Sequence, residues 1–331
     1  MLNLWKRKPA LGIGIGVGLV GAVALAARYG FRRAPRERIP DDISPAIFAT
    51  RVAETTFGEM VYHISGAGNP VVFLHGIYIG ASSYEWSKVY PHFTMGREVI
   101  VPDLIGFGES ERPGLTMDAT DYAESLVEFL RSTCGGRSPV LIASGLTAGI
   151  ALLMASRHPE RVERLILLLP TGLKESGEWS AAGRVTLVGL PGLKRFVYRN
   201  YLSHAPFIRG WLTKFALGDP SRVNEEMVRA LTTCAQQPGA EHAIFGFLRG
   251  QLAFDIESRL DSVPHPVSVL WPDRASGFPR SGGEEISRKL KRARLVPVPD
   301  CGILAALEAP AVLTSIIAAE LDDDFRLEGA A

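Results

Sequence analysis

The chain has 331 residues, 47% hydrophobic and 21% charged, and 36 Lys and Arg against 35 Asp and Glu leave a net charge of +1. That length holds one large α/β domain, an inserted subdomain and a tail. The balanced charge excludes the basic excess of a nucleic-acid binder, and three scattered cysteines, Cys134, Cys234 and Cys301, give no disulfide framework and no metal-ligand spacing.

The N-terminus departs from this plain composition. Basic residues Lys6, Arg7 and Lys8 precede an uncharged stretch from Pro9 to Ala27, and Arg28, Arg32, Arg33, Arg36 and Arg38 follow it. As a helix the stretch would extend roughly 28 Å, close to the hydrocarbon thickness of a bilayer. It reads as a retained single-pass membrane anchor over residues 1–30. The alternative is a secretory signal, since Ala24–Ala26 resembles a cleavage site and cleavage would leave a secreted or periplasmic domain. Gly12, Gly14, Gly16 and Gly18 create overlapping G-x-x-x-G spacings, which let helix backbones approach closely in lipid and suggest a transmembrane protein partner. The basic residues after the span outnumber those before it, which places the main domain on the cytoplasmic side.

Residues 31–50 are a polar, Pro-containing linker. Beyond it, Met60–Gly66 and Pro70–Gly76 read as strands joined by a Gly-containing turn. Glu98–Leu104 is a further strand, and Ala123–Ser132 has helical periodicity. Val140–Ser144, Val162–Pro170 and Pro266–Asp273 are short apolar runs separated by helix-length segments; Leu295–Asp300 and Ala309–Leu321 read as a last strand and closing helix. Runs apolar on both faces, alternating with helices, imply a mostly parallel sheet covered on both sides. The alternation breaks over residues 173–260, where amphipathic patterns predict helices at 192–202, 206–217, 224–235 and 243–254. Such an insert is expected to cap the edge where α/β sheets bind ligands. The core is then residues 51–172 and 261–325.

Several stretches carry a resemblance: "VVFLHGIYIGASSYEW", "VIVPDLIGFGESERP", "ALLMASRHPERVERLILL", "VLWPDRAS" and "VPDCGILAALEAP". In these segments, and in their order, residues 60–321 are similar to the α/β-hydrolase superfamily, in the capped branch that includes esterases, dehalogenases and epoxide hydrolases. The resemblance implies a fold and a chemistry: a nucleophile on a strained strand-to-helix turn, a histidine that takes its proton and a carboxylate that orients the histidine.

All three positions are altered. Register from the helix after the turn puts Gly145 in the nucleophile's place, with Ala143 and Thr147 where the flanking glycines belong. Gly302, Leu307, Glu308 and Pro310 match the histidine segment and put Ile303 in the histidine's place. The acid loop puts Ala275 where the carboxylate belongs. Asp273 falls two residues early, and Glu175 after the preceding strand is a remote substitute. Ser144 neighbours the turn, but a one-residue slip points a strand side chain to the opposite face; it reads as locally hydrogen-bonded, a displaced nucleophile being the alternative.

The oxyanion loop is better preserved. His75 and Gly76 precede Ile77, whose backbone N–H, with that of Leu146, would polarise a carbonyl. His75 reads as structural, and Asp103 with Gly106–Ser110 as fixing their loop. Tyr78, Tyr84, Trp86, Phe245 and Phe247 read as core or as the lining of a pocket beneath the cap. The seven histidines are dispersed, so no metal and no cofactor is expected. The expectation is a membrane-anchored pseudoenzyme serving as scaffold, subunit or binder of an apolar small molecule. Its rival is a hydrolase or lyase using Ser144 or His75.

Overall fold

The apolar runs Asn69–Leu74, Val140–Ser144, Arg164–Leu168 and Val267–Pro272 become inner strands of one sheet in the computed structural model, which describes residues 47–114, 116–172 and 195–323. The sheet contains β1 (Ala49–Thr55), β2 (Gly58–Gly66), β3 (Asn69–Leu74), β4 (Arg97–Pro102), β5 (Val140–Ser144), β6 (Arg164–Leu168), β7 (Val267–Pro272) and β8 (Ala293–Val298). Their order is β1-β2-β4-β3-β5-β6-β7-β8. β2 pairs antiparallel with β1 and β4, and every pair from β4 to β8 is parallel. The mostly parallel sheet and flanking helices are those of the α/β-hydrolase architecture expected from the sequence.

β1 escapes a reading by pattern. Of "ATRVAET" only Ala53 is buried, so the segment carries no two-residue alternation, and its Arg51 and Glu54 are the charges that commonly blunt an edge strand. It begins two residues inside the expected linker. The proposed anchor with Gly12, Gly14, Gly16 and Gly18, the rest of the linker and Glu175 lie outside the described residues. No helix among the described residues is long and apolar enough to cross a membrane.

Helices α1 (Ala119–Thr133) and α2 (Gly145–Arg157) pack together on one sheet face. The start of α1 is set by a capping box: Asp118 accepts from the Thr120 and Asp121 amides, and Asp121 accepts from the Asp118 amide. Opposite lies a second cluster including Phe73, Trp86, Tyr90 and Phe93, closed by Leu313 and Ile317 of the C-terminal helix Pro310–Asp322. Trp86 thus belongs to the core beneath the sheet, and its Nε1–H donates to the Leu74 carbonyl at 3.0 Å.

The cap includes α3 (Ala205–Trp211), α4 (Glu225–Ala235) and α5 (Glu241–Leu248), with helical turns at Tyr198–Leu202 and Leu212–Ala216. The helix expected over 243–254 stops at Leu248. Gly250, at φ +74°, takes a left-handed conformation that terminates it. A third apolar cluster joins cap residues Ile208, Leu212, Met227 and Leu231 to Tyr84, Leu304 and Leu307 of the core.

Candidate functional site

Parallel strands end at one edge of the sheet. The loops leaving β3, β4, β5, β7 and β8 there carry His75–Ile77, Asp103, Gly145, Ala275 and Ile303. Hydrogen bonds knit neighbouring loops: Thr171 N–H donates to the Gly145 carbonyl at 3.1 Å, and Arg274 N–H to the Cys301 carbonyl at 3.0 Å.

β5 passes into α2 within one residue, which demands a left-handed backbone. Gly145 supplies it at φ +55°. Among the described residues, a Cβ there would meet no heavy atom within 4 Å. The next residue, Leu146, is buried in the main apolar cluster, which also takes Ala275 and the half-buried Ile303. None of these side chains donates or accepts a proton.

Ser144 is turned toward Glu85. Only 4% exposed, its hydroxyl donates to Glu85 Oε1 at 2.5 Å, a partner 59 residues distant. Glu85 sits in the short turn Ser83–Trp86, is itself 1% exposed, and accepts the Gly76 N–H on Oε2 at 2.8 Å. The Tyr78 hydroxyl lies against the same carboxyl but outside hydrogen-bonding geometry. Burial raises the Glu85 pKa above the ordinary carboxylate range, with the bonds from Ser144 and Gly76 offsetting part of the rise. The sequence reading gave Ser144 a local partner and missed Glu85. The signal present was a single charge in the otherwise uncharged run "IYIGASSYEWS".

His75 is fully buried and held by backbone on both sides. Leu104 N–H donates to its Nε2 at 3.0 Å, so Nδ1 carries the proton and donates to the Gly76 carbonyl at 2.7 Å. Burial lowers its pKa against partial opposition from Asp103 and that carbonyl. The imidazole is a neutral strut. Asp103 likewise fastens its loop, accepting the Ser83 amide at 2.6 Å and the Glu109 amide at 2.7 Å. No thiol offers a substitute nucleophile: burial pushes Cys134 up to about 11 and Cys234 and Cys301 up to about 12.

The loop bearing Ile303 is bolted to the cap. Glu308, buried, accepts the amides of Gly302 at 2.7 Å, Gly218 at 2.9 Å and Asp219 at 2.7 Å. The two backbones approach so closely that a Cβ on Gly302 would stand 2.5 Å from Gly218 N and 2.6 Å from Ala216 O. Under the cap, Leu146 fills space beside Gly172, whose Cβ would lie 2.2 Å from a Leu146 methyl. Two cavities lie between core and cap, one beside Gly80, Phe107, Tyr198 and Cys234, the other beside Ile105, Tyr122 and His242. Each has a volume of about 10 Å³, room for about one water.

Comparison with known proteins agrees with this fold. A family model described as the alpha/beta hydrolase fold matches residues 69–310. A 2-hydroxymuconate semialdehyde hydrolase from Pseudomonas putida is 34% identical over 263 residues, covering 74% of this chain and 84% of that protein. A hydrolase described by the same words from Pseudomonas sp. strain CF600 is 28% identical over 266 residues, covering 77% and 87%. Among solved structures, a membrane phospholipase A described as a bacterial virulence factor superposes with a TM-score of 0.70 at 23% identity, over 94% of this chain and 95% of that one. Epoxide hydrolase CorEH gives 0.70 at 22% identity, over 82% and 98%. At those identities the likeness concerns the fold.

Proposed function

The chain belongs to the α/β-hydrolase family, and from that premise we propose that it is a member without hydrolytic chemistry. It is held at a membrane by its N-terminal segment and serves as a scaffold, a subunit or a binder of an apolar small molecule. The observation that carries this reading is Gly145: the strained turn is kept, at φ +55°, and the side chain that would attack a substrate is absent. Ile303 and Ala275 support it, because the loops after β8 and β7 then offer a butyl and a methyl group where a proton acceptor and its orienting carboxylate would be needed. Losing three groups that act as one unit leaves, in general, only the weak acceleration from binding and the oxyanion hole.

A rival reading makes Ser144 a displaced nucleophile with Glu85 as its base. Against it stands the burial of the Ser144 hydroxyl, which is 4% exposed and donates its hydrogen bond to Glu85, itself 1% exposed. The relatives' names describe hydrolases, and those activities are theirs.

A fluorophosphonate probe on the full-length chain separates the readings. The account expects no labelled serine; labelling at Ser144 supports the rival. The anchor has its own test, since replacing Gly14 and Gly18 with leucine is expected to disperse any complex recovered in mild detergent. A complex unaffected by both changes contradicts a role for these glycines.

A further inference from the structure

Beside the oxyanion loop, at the junction of β2 and β4, a histidine meets two acids of a loop some forty residues later in the chain. His63 lies on β2, Asp103 follows β4, and Glu109 is in the loop beyond. One ligand atom from each lies within 4.8 Å of the others. His63 is 3% exposed, and its Nε2 is buried with no hydrogen-bond partner. A buried polar atom without a partner costs about 1–3 kcal/mol, so an orphan aimed at two carboxylates calls for an occupant.

The surrounding structure holds each group in place. Thr50, directly across from His63 on β1, pairs its hydroxyl with Nδ1 at 3.1 Å. That arrangement leaves Nε2 facing the carboxylates, the manner in which outer partners orient metal-binding histidines. Asp103 is oriented by the Ser83 and Glu109 amides, and each of its oxygens retains a further lone pair. The loop is pinned to β2 as well: the Ser110 hydroxyl donates to the Asp103 carbonyl at 2.6 Å and accepts the Val61 amide at 2.8 Å.

From this geometry we propose that His63, Asp103 and Glu109 bind one divalent metal ion of the zinc, cobalt or manganese class. His63 Nε2 stands 3.9 Å from Glu109 Oε2. Direct charge-assisted bonds close to about 2.7–2.9 Å, whereas two ligands at tetrahedral angles on a zinc ion stand roughly 3.4 Å apart. The observed gap is therefore nearer to a bridged pair than to a direct one. Three protein ligands leave a fourth position for water, on the side where Glu109 is 35% exposed. Calcium fits poorly, because it demands six or more oxygens. Arg112 stands near both acids and donates to the Gly108 and Ser110 carbonyls, so its guanidinium cancels part of the negative charge and moderates affinity. The position, against β2 and the loop after β4, suits an ion that stiffens the oxyanion-loop side of the edge.

The test uses the full-length chain in mild detergent, stripped with chelator, then titrated with zinc chloride by calorimetry and with cobalt chloride by visible absorption. One saturable site per chain is expected, with a cobalt spectrum of a nitrogen- and oxygen-ligated ion. H63A and E109Q are each expected to weaken zinc binding by about tenfold or more, and T50V to weaken it by a similar factor through lost orientation. Absence of saturable one-to-one binding, or affinity unchanged in H63A, overturns the site. Should H63A fail to fold, E109Q decides alone: its side chain is partly exposed and the change leaves its backbone bond to Asp103 intact.

Discussion

At the scale of single residues, Gly145 and Gly302 make opposite demands on the space around them. Gly145 needs a left-handed backbone but meets no described residue where a Cβ would go, so G145A is expected to cost only the conformational penalty of about 1–2 kcal/mol. Gly302 has backbone of the cap where a Cβ would go, and G302A must push two chain segments apart. Denaturant unfolding should rank G302A as the more damaging; the reverse order would contradict the close packing of Gly302 against Ala216 and Gly218. Glu85 makes a prediction in pH. Its carboxyl is raised by burial above the ordinary value of about 4.3, so the folded chain holds that proton more tightly than the unfolded chain. The stabilisation is present below the ordinary value and is lost as pH climbs through the raised one. E85Q carries no such proton, so its thermal midpoint should gain on the wild type with rising pH across that window and run parallel below about pH 4. Parallel curves throughout would mean that Glu85 titrates normally.

At the scale of elements, one carboxylate joins the cap to the core. Glu308 accepts three backbone amides from two segments, and its removal leaves all three without that partner, Gly302 buried and Gly218 and Asp219 half-buried. E308A is expected to destabilise by about 2–4 kcal/mol, and limited proteolysis should then cut first around residues 216–222. Cleavage elsewhere, with this stretch still protected, would show that the apolar cluster of Ile208, Leu212 and Leu307 holds the cap unaided. The inner strands β3, β5, β6 and β7 were legible in the sequence because burial on both faces demands uninterrupted apolar runs. β1 was not, because an edge strand with one buried side chain leaves no periodic trace. The early end of α5 was missed for a related reason: apolar residues continue past Leu248, and only the left-handed Gly250 stops the helix.

At the scale of the whole molecule, the strand order and the positions of Gly145, Ala275 and Ile303 on one sheet edge follow from motifs that survive in short contiguous stretches. What the sequence concealed are contacts between distant residues. Glu85 meets Ser144 and His63 meets Asp103 only after β2, β3, β4 and β5 have assembled, and no spacing rule foretells either pair. Folded together, these features keep the α/β-hydrolase frame, and the reading proposed above is that its turn, loops and cap persist without the reacting groups. The preserved frame leads to a gain-of-function expectation: the triple variant G145S/A275D/I303H should acquire ester hydrolysis on the order of tenfold or more above the unmodified chain, since a Cβ at Gly145 meets no heavy atom of the described residues within 4 Å. A correctly folded but inert triple variant would show that the loops no longer present those positions to one another.

The most direct measurement is the steady-state hydrolysis of a short-chain p-nitrophenyl ester by the full-length wild-type chain, beside its S144A variant. The account predicts rates that match the uncatalysed reaction in both, with no saturation by substrate. Saturable turnover by the wild type that vanishes in S144A would contradict it, because a proton-moving nucleophile would then exist at a turn where the structure places only glycine and a hydroxyl buried against Glu85.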